Sequence, residues 1–362
     1  MTPTRVVAFG GGHGLSASLR ALRHCVPELD LDITAVVTVG DDGGSSGRLR
    51  AERGGLPPGD LRQALVALAG DHPATRRSAA LFQHRFAAAA PRVAPPPLAG
   101  PECAAHPPTA SPALTTSPPA RAGARTGTGA GTADPLAGHA VGNLLLHGLT
   151  ELLGDPVAAL DHAGAMLGAV GRVLPMSRQP VGIEAQVRGV DPARPDEVRT
   201  VRGQHQVAVT SGTVVSLRLT PAAPAACAEA VSAVRAADWL IFGPGSWYTS
   251  VLPHLLVPGL ADAIVSSPAR RLVTLNLVAE KETSGLSLPD HLDTLRRHLP
   301  ELKVDRVLAD STAVGDPVAV EHAAESLGAR LVLAPVAVLD GAPRHDPAAL
   351  GAALVPVLGA DR

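Results

Sequence analysis

The chain has 362 residues, 46% of them hydrophobic, with a formal charge of -2. That near-neutral balance gives no electrostatic footprint for a nucleic-acid partner, while the apolar content suffices for one large α/β domain or two small ones. Aromatic residues are 2% of the total, so the core must be built from Ala, Val and Leu.

The only lysines are Lys281 and Lys303. Neither follows a glycine-rich loop, which excludes a Walker-type P-loop. Cys25, Cys103 and Cys227 are odd in number and lack CxxC spacing, which argues against a disulfide framework or a zinc site and for a reducing compartment. No apolar run reaches membrane-spanning length, and no cleavable leader precedes the first apolar strand. A cytoplasmic protein is expected.

In chain order, a β-branched run at residues 5–9 leads into the glycines Gly10, Gly11, Gly12 and Gly14, and Leu15, Leu19 and Leu22 then recur at helical spacing. A second strand at 33–39 completes a βαβ unit and predicts a parallel sheet. The polar segment 38–62 follows as a long loop, in which Gly43, Gly44, Ser45, Ser46 and Gly47 form a turn. Asp60 is placed as the N-cap of a helix carrying Leu61, Leu65 and Leu68. Residues 91–137, rich in Pro, Ala, Gly and Thr, read as a disordered insertion. Helices are expected at 141–153 and 157–167. Runs at 181–187, 206–209 and 214–219 alternate like strands of a small antiparallel subdomain spanning 171–222. The αβ rhythm then returns, with strands at 239–242, 272–275, 306–308 and 331–333 and helices at 227–236, 291–298, 317–327 and 347–357. The sum is a single doubly wound, mostly parallel, Rossmann-like α/β domain with a small inserted subdomain.

Three segments have the composition of a site. The glycine loop at 10–14 lets backbone amides approach a phosphate at a helix N-terminus, although glycines there also serve close strand–helix packing and the dinucleotide pattern GxGxxG fails at Leu15. Asp41 and Asp42 close the second strand, where open α/β sheets bind ligands. One carboxylate suits a sugar hydroxyl or a divalent cation, with Asp41 as the metal candidate, and both also suit a solvated turn. Ser45 and Ser46 offer hydroxyls, Arg48 and Arg50 charge for phosphate, and Gly59, Asp60 and Arg62 begin the next helix. The second strand-to-helix loop, Gly243, Pro244, Gly245 and Ser246, is of phosphate-cradling type and continues into Tyr248, Thr249 and Ser250, with Ser246, Thr249 and Ser250 as donors. Gly245 directly precedes Ser246, so the GxSxG elbow of serine hydrolases is absent. His139 lies near Gly142 and Asn143, a context that suits a structural donor as readily as a catalyst.

Six ordered motifs, GGGHGL (10–15), TVGDDGGSSGRLR (38–50), PPGDLR (57–62), FQHRF (82–86), GHAVGNLLL (138–146) and GPGSWYTSVLPHLLVPGL (243–260), resemble the gluconeogenesis factor family, the YvcK-like group related to the 2-phospho-lactate transferases of deazaflavin synthesis. The resemblance covers the chain apart from the Pro-rich insertion. It implies a CofD-like fold and a cytoplasmic protein that binds UDP-N-acetylglucosamine, without established catalysis, in the control of cell shape and wall-precursor allocation under gluconeogenic growth. Arg344 matches a family position associated with nucleotide-sugar binding, though Asp346 and Pro347 also place it as a surface residue at a helix start. Expected partners are the nucleotide sugar, regulatory proteins and a Ser/Thr kinase, with no nucleic acid, and the chain is expected to form a homo-oligomer. The rival reading is a magnesium-dependent phospho-lactyl-type transferase acting on a deazaflavin acceptor. Binding of NAD in the same crevice is a third reading, which the broken glycine pattern disfavours. The segment NLVAEKET (276–283) departs from the family's NxMTQxGET pattern and puts ligand contacts near Asn276 in question.

Overall fold

The computed structural model describes residues 2–88 and 134–360. Most of the Pro-rich segment, from 91 to 133, lies outside them. The chain divides into two units, one formed by Met1–Arg85 with His139–Arg362 and the other by Phe86–Gly138. The first carries the fold.

Its ten strands are β1 (Thr4–Gly10), β2 (Leu31–Val37), β3 (Arg172–Pro175), β4 (Gly182–Arg188), β5 (Val198–Arg202), β6 (Thr213–Thr220), β7 (Trp239–Phe242), β8 (Arg270–Thr274), β9 (Arg306–Asp310) and β10 (Arg330–Ala334). Seven of them form a parallel sheet in the order β10-β9-β8-β7-β1-β2-β3. β4, β5 and β6 form a separate antiparallel sheet with β4 in the centre. The chain runs outwards from β1 through β2 to β3, then returns to lay β7 on the other side of β1. The strand order therefore reverses between β1 and β7, which is where a doubly wound sheet opens a ligand crevice.

Both faces of the sheet are covered. Val6, Val7, Ala8 and Phe9 of β1 and Leu240, Ile241 and Phe242 of β7 are all buried, the continuous apolar pattern of a central parallel strand. Phe9 and Phe242, paired in register, stack with ring centroids 4.8 Å apart. In a core with few aromatics this pair ties together the two strands that define the crevice, and such a contact adds about 1 kcal/mol beyond its buried area. Helix Gly12–Cys25 packs against helices Pro58–Leu68 and Pro347–Leu358. An Asp-Pro pair starts three helices, with Asp155, Asp316 and Asp346 each accepting hydrogen bonds from two first-turn amides. Among the described residues no single helix is long and apolar enough to cross a membrane.

Three sequence expectations change. The segment expected to be a loop between β2 and Leu61 contains a helix, Gly44–Arg53, begun by Gly43, whose amide donates to Asp41 Oδ1 at 2.9 Å. Gly47 in its first turn lies so close to Asp42 that a Cβ there would fall 2.0 Å from the Asp42 carbonyl oxygen, so a sequence of low helix propensity is held helical by contacts only glycine permits. Residues 206–209, expected as a strand, belong mostly to the short helix Gln204–Ala208, and β5 supplies the third strand of the small sheet. β3, within the range expected for the subdomain, is instead the edge of the main sheet.

Candidate functional site

The loops after β1 and β7 touch. A Cβ on Gly14 would fall 2.2 Å from the Pro244 carbonyl oxygen and 2.5 Å from Gly245 Cα, and the Ser18 hydroxyl donates to the Gly243 carbonyl at 2.8 Å. Close packing thus accounts for Gly14. The N-cap of the following helix is Gly11, which offers no side-chain cap, so the first-turn amides meet the crevice with the positive end of a 14-residue helix behind them.

Behind this loop stands Asp60. It is the third residue of helix Pro58–Leu68, whose N-cap is Pro57, so the expectation that Asp60 caps the helix is corrected. Its side chain is turned towards the first loop, with Oδ2 accepting from the Thr38 hydroxyl at 3.1 Å. Only glycine fits above it, since a Cβ on Gly11 would lie 2.5 Å from Asp60 Oδ2. Burial first, and the charge of Asp41 second, push the Asp60 carboxyl up to about 6. Asp41 itself approaches Gly59, where a Cβ would lie 2.6 Å from Asp41 Oδ2 and 2.4 Å from the Ser46 hydroxyl. Asp42 serves a different purpose: Oδ1 accepts from His205 N at 2.9 Å, which fastens the short helix Gln204–Ala208 to the end of β2.

Arg62 is 3% exposed and held on two sides. Its Nε donates to Asn143 Oδ1 at 2.8 Å, Asn143 Nδ2 donates to the Ser45 hydroxyl at 3.0 Å, and Ser45 meets His139 Nδ1 at 2.9 Å; Gln83 accepts from the Arg62 guanidinium. Burial, then the nearby Arg85, lower the Arg62 pKa to about 10, so it stays charged at neutral pH. The sequence-predicted Ser45, Asn143 and His139 therefore position Arg62 and do not line the crevice. Arg48, one turn after Ser45 on helix Gly44–Arg53, is exposed and near enough to His139 to depress its pKa after burial has done so. Arg50 donates to the Gly40 and Val181 carbonyls, both at 3.3 Å, a structural use in place of the expected phosphate contact.

On the β7 side, the expected phosphate cradle has much of its donor capacity already committed. Gly245 N donates to Asn276 Oδ1 at 2.8 Å and Asn276 Nδ2 returns a bond to the Gly245 carbonyl at 2.9 Å. Tyr248 N donates to Glu282 Oε1 at 2.9 Å, and the Tyr248 ring is buried beside Thr294, away from the crevice. The Ser246 and Thr249 hydroxyls contact each other. Asn276 and Glu282, both in the 276–283 segment that follows the carboxyl end of β8 and where the sequence puts ligand contacts in question, thus shape this loop.

A cleft of about 1270 Å³ runs between these walls. Gly11, Gly12, Gly14, Asp60, Arg62, Gly245, Ser246, Thr249 and Arg344 line it. Gly10, Asp41, Asp42, Ser45, Ser46, Arg48, Gly59, Asn143, Gly243 and Tyr248 stand behind or beside the lining. His13, Arg20 and Arg85 add basic groups on the β1 side, and Lys281 and Glu280 lie on the opposite side. Arg344 is exposed at the rim, paired with Asp340 at 2.6 Å, just before helix Pro347–Leu358. Among the described residues no three His, Cys, Asp or Glu side chains cluster as a metal site. Of the carboxylates Asp41 and Asp60, Asp60 lines the cleft and Asp41 stands behind it.

The fold and cleft define a doubly wound, mostly parallel α/β protein whose cleft opens at the N-terminus of the first helix. The family model described as 2-phospho-L-lactate transferase CofD matches residues 6–333, and the chain belongs to that family. It is 44% identical over 360 residues to a Mycobacterium tuberculosis protein named "Putative gluconeogenesis factor", covering 98% of this chain and 91% of the relative. To the gluconeogenesis factor of Bacillus subtilis it is 31% identical over 323 residues, 89% of this chain and 83% of the relative. A crystal structure of a UPF0052-family protein from Bacillus halodurans superposes with a TM-score of 0.74 at 31% identity, covering 98% of this chain and 99% of that one.

Proposed function

We propose that the protein is a cytoplasmic nucleotide-sugar-binding regulator that takes UDP-N-acetylglucosamine in the cleft, and that it acts in cell-shape control and the allocation of wall precursors during gluconeogenic growth. The observation that carries the reading is the pairing of an uncapped helix N-terminus with the buried, network-held cation Arg62 in a cleft larger than the usual 300–1000 Å³ ligand pocket. The diphosphate would meet the first-loop amides, Arg62 and Arg344, and the remaining length would accommodate a two-part ligand. Calorimetry with UDP-N-acetylglucosamine tests this directly: saturable heat is expected for the native chain, weakened about tenfold in Arg344→Ala by loss of one charge-assisted contact. Absence of saturable heat, together with an unaffected Arg344→Ala protein, would end the proposal.

One observation favours a second reading. The Asp41 carboxylate lies close enough to Asp60 to raise the Asp60 pKa, and the two stand beside the proposed diphosphate site, as in phosphoryl-transfer centres that work by positioning and charge neutralisation. A bound magnesium would supply that neutralisation. Magnesium-dependent product formation from a deazaflavin acceptor, lost in Asp41→Asn, would establish the transferase reading.

A further inference from the structure

The two walls of the cleft differ in the chemistry they present. On the β1 side stand His13, Arg20, Arg62 and Arg85 around the amides of the first helical turn. On the β7 side, the Gly245 and Tyr248 amides are taken by Asn276 and Glu282, so they are withdrawn from an anion. The hydroxyls of Ser246 and Thr249 touch each other and are faced by two carboxylates, Glu280 at the cleft surface and Glu282 behind it. Glu282 is 2% exposed, and its Oε2 has no hydrogen bond of its own; the two hydroxyls stabilise its charge only at longer range. One hydroxyl proton is used between Ser246 and Thr249 and the other is faced by the carboxylates, so the groups left to the cleft are lone pairs: Ser246, Thr249 and the Glu280 oxygens. Lys281 is the one cation carried on this segment.

We propose that the β7 wall is an acceptor surface that selects the hydroxyl-rich sugar ring of the ligand and excludes its phosphates, with Glu282 as the positioning residue that orients Ser246 and Thr249. This deepens the nucleotide-sugar reading and rests on it for the identity of the ligand. Phosphate oxygens carry negative charge and no protons, so a wall of lone pairs and carboxylates repels them, whereas sugar hydroxyls donate to it. A site that hydrogen-bonds a hydroxyl also rejects an analogue lacking it far more strongly than an apolar pocket does. The ligand is thereby given a direction, with phosphate against β1 and its helix and sugar against β7 and β8.

The test is calorimetry on the full chain and on Glu280→Gln, Ser246→Ala and Glu282→Gln, each titrated with pyrophosphate, UDP-N-acetylglucosamine and ADP-ribose. Glu280 is exposed, so E280Q folds as the native chain does even if E282Q does not. The expected result is a loss of about tenfold or more for the sugar nucleotides in all three variants, with pyrophosphate unchanged or tighter. A parallel loss for pyrophosphate, or sugar-nucleotide affinity unchanged in E280Q and S246A, overturns the acceptor wall while leaving UDP-sugar binding intact. If the native chain binds ADP-ribose but not UDP-N-acetylglucosamine and the variants lose ADP-ribose selectively, the function reading falls and the acceptor wall stands. Binding of pyrophosphate alone, or of none of the three, overturns both.

Discussion

Gly14→Ala perturbs the point where the two loops meet. The added carbon would sit 2.2 Å from the Pro244 carbonyl oxygen and 2.5 Å from Gly245 Cα, and both contacts are backbone, so no side-chain rotation relieves them. The loops must part by about 1 Å or more to reach ordinary van der Waals distance. Overpacking of this kind costs about 1–3 kcal/mol, even though alanine is the better helix former by up to about 1 kcal/mol. Parting the loops also widens the crevice at the helix N-terminus, and a displacement of that size is expected to weaken nucleotide-sugar binding tenfold or more. Urea denaturation followed by circular dichroism gives the stability and calorimetry the affinity. Gly148→Ala is the control: it lies in helix Val141–Leu153, its Cβ meets nothing within 4 Å, and it should stabilise by up to about 1 kcal/mol without touching affinity. Native stability and native affinity in Gly14→Ala would refute the tight loop contact and its role in binding.

Asp60 and His254 give pH dependences of opposite sign. The Asp60 carboxyl is raised to about 6 in the fold, so it favours folding below pH 3.8 and that contribution is lost as pH rises through 6, a swing of about 3 kcal/mol that Asp60→Asn removes. UDP-sugar affinity should fall over the same upper range as a negative charge forms beside the diphosphate, and should be flat from pH 5 to 7.5 in Asp60→Asn, measured by calorimetry. His254 is fully buried against Phe9, with burial lowering its pKa to about 4. Its neutral form favours folding above pH 6.5, and the contribution is lost as pH falls towards 4, again about 3 kcal/mol. Denaturation midpoints of His254→Leu between pH 6.5 and 4 should lack this acid slope; an unchanged slope would contradict the assignment.

The parallel sheet was legible because its strands are short apolar runs separated by helices with clear period and Asp-Pro or glycine boundaries, as at Trp239–Phe242 and Pro347–Leu358. What escaped depends on contacts distant in sequence. Gly44–Arg53 looks like a turn because its glycines and serines have low helix propensity, and tertiary contacts such as Ser45 against His139 and Gly47 against Asp42 hold it. Gln204–Ala208 is fixed by Asp42, more than 160 residues earlier. β3 is four residues long and carries no alternation to read. The site was legible in kind, since glycine loops and carboxylates at strand ends mark a crevice. The division of labour among Asp41, Asp42 and Asp60, the bracing of Arg62 by Asn143, and the use of Asn276 and Glu282 to close the second loop become visible only once the chain is folded.

The most direct test of the account is a crystal structure of the protein soaked with UDP-N-acetylglucosamine. The account predicts density in the cleft between β1 and β7, with diphosphate oxygens within hydrogen-bond distance of the His13 and Gly14 amides and of Arg62. Density for the ligand elsewhere on the molecule, or phosphates seated on Ser246 and Asn276, would contradict it.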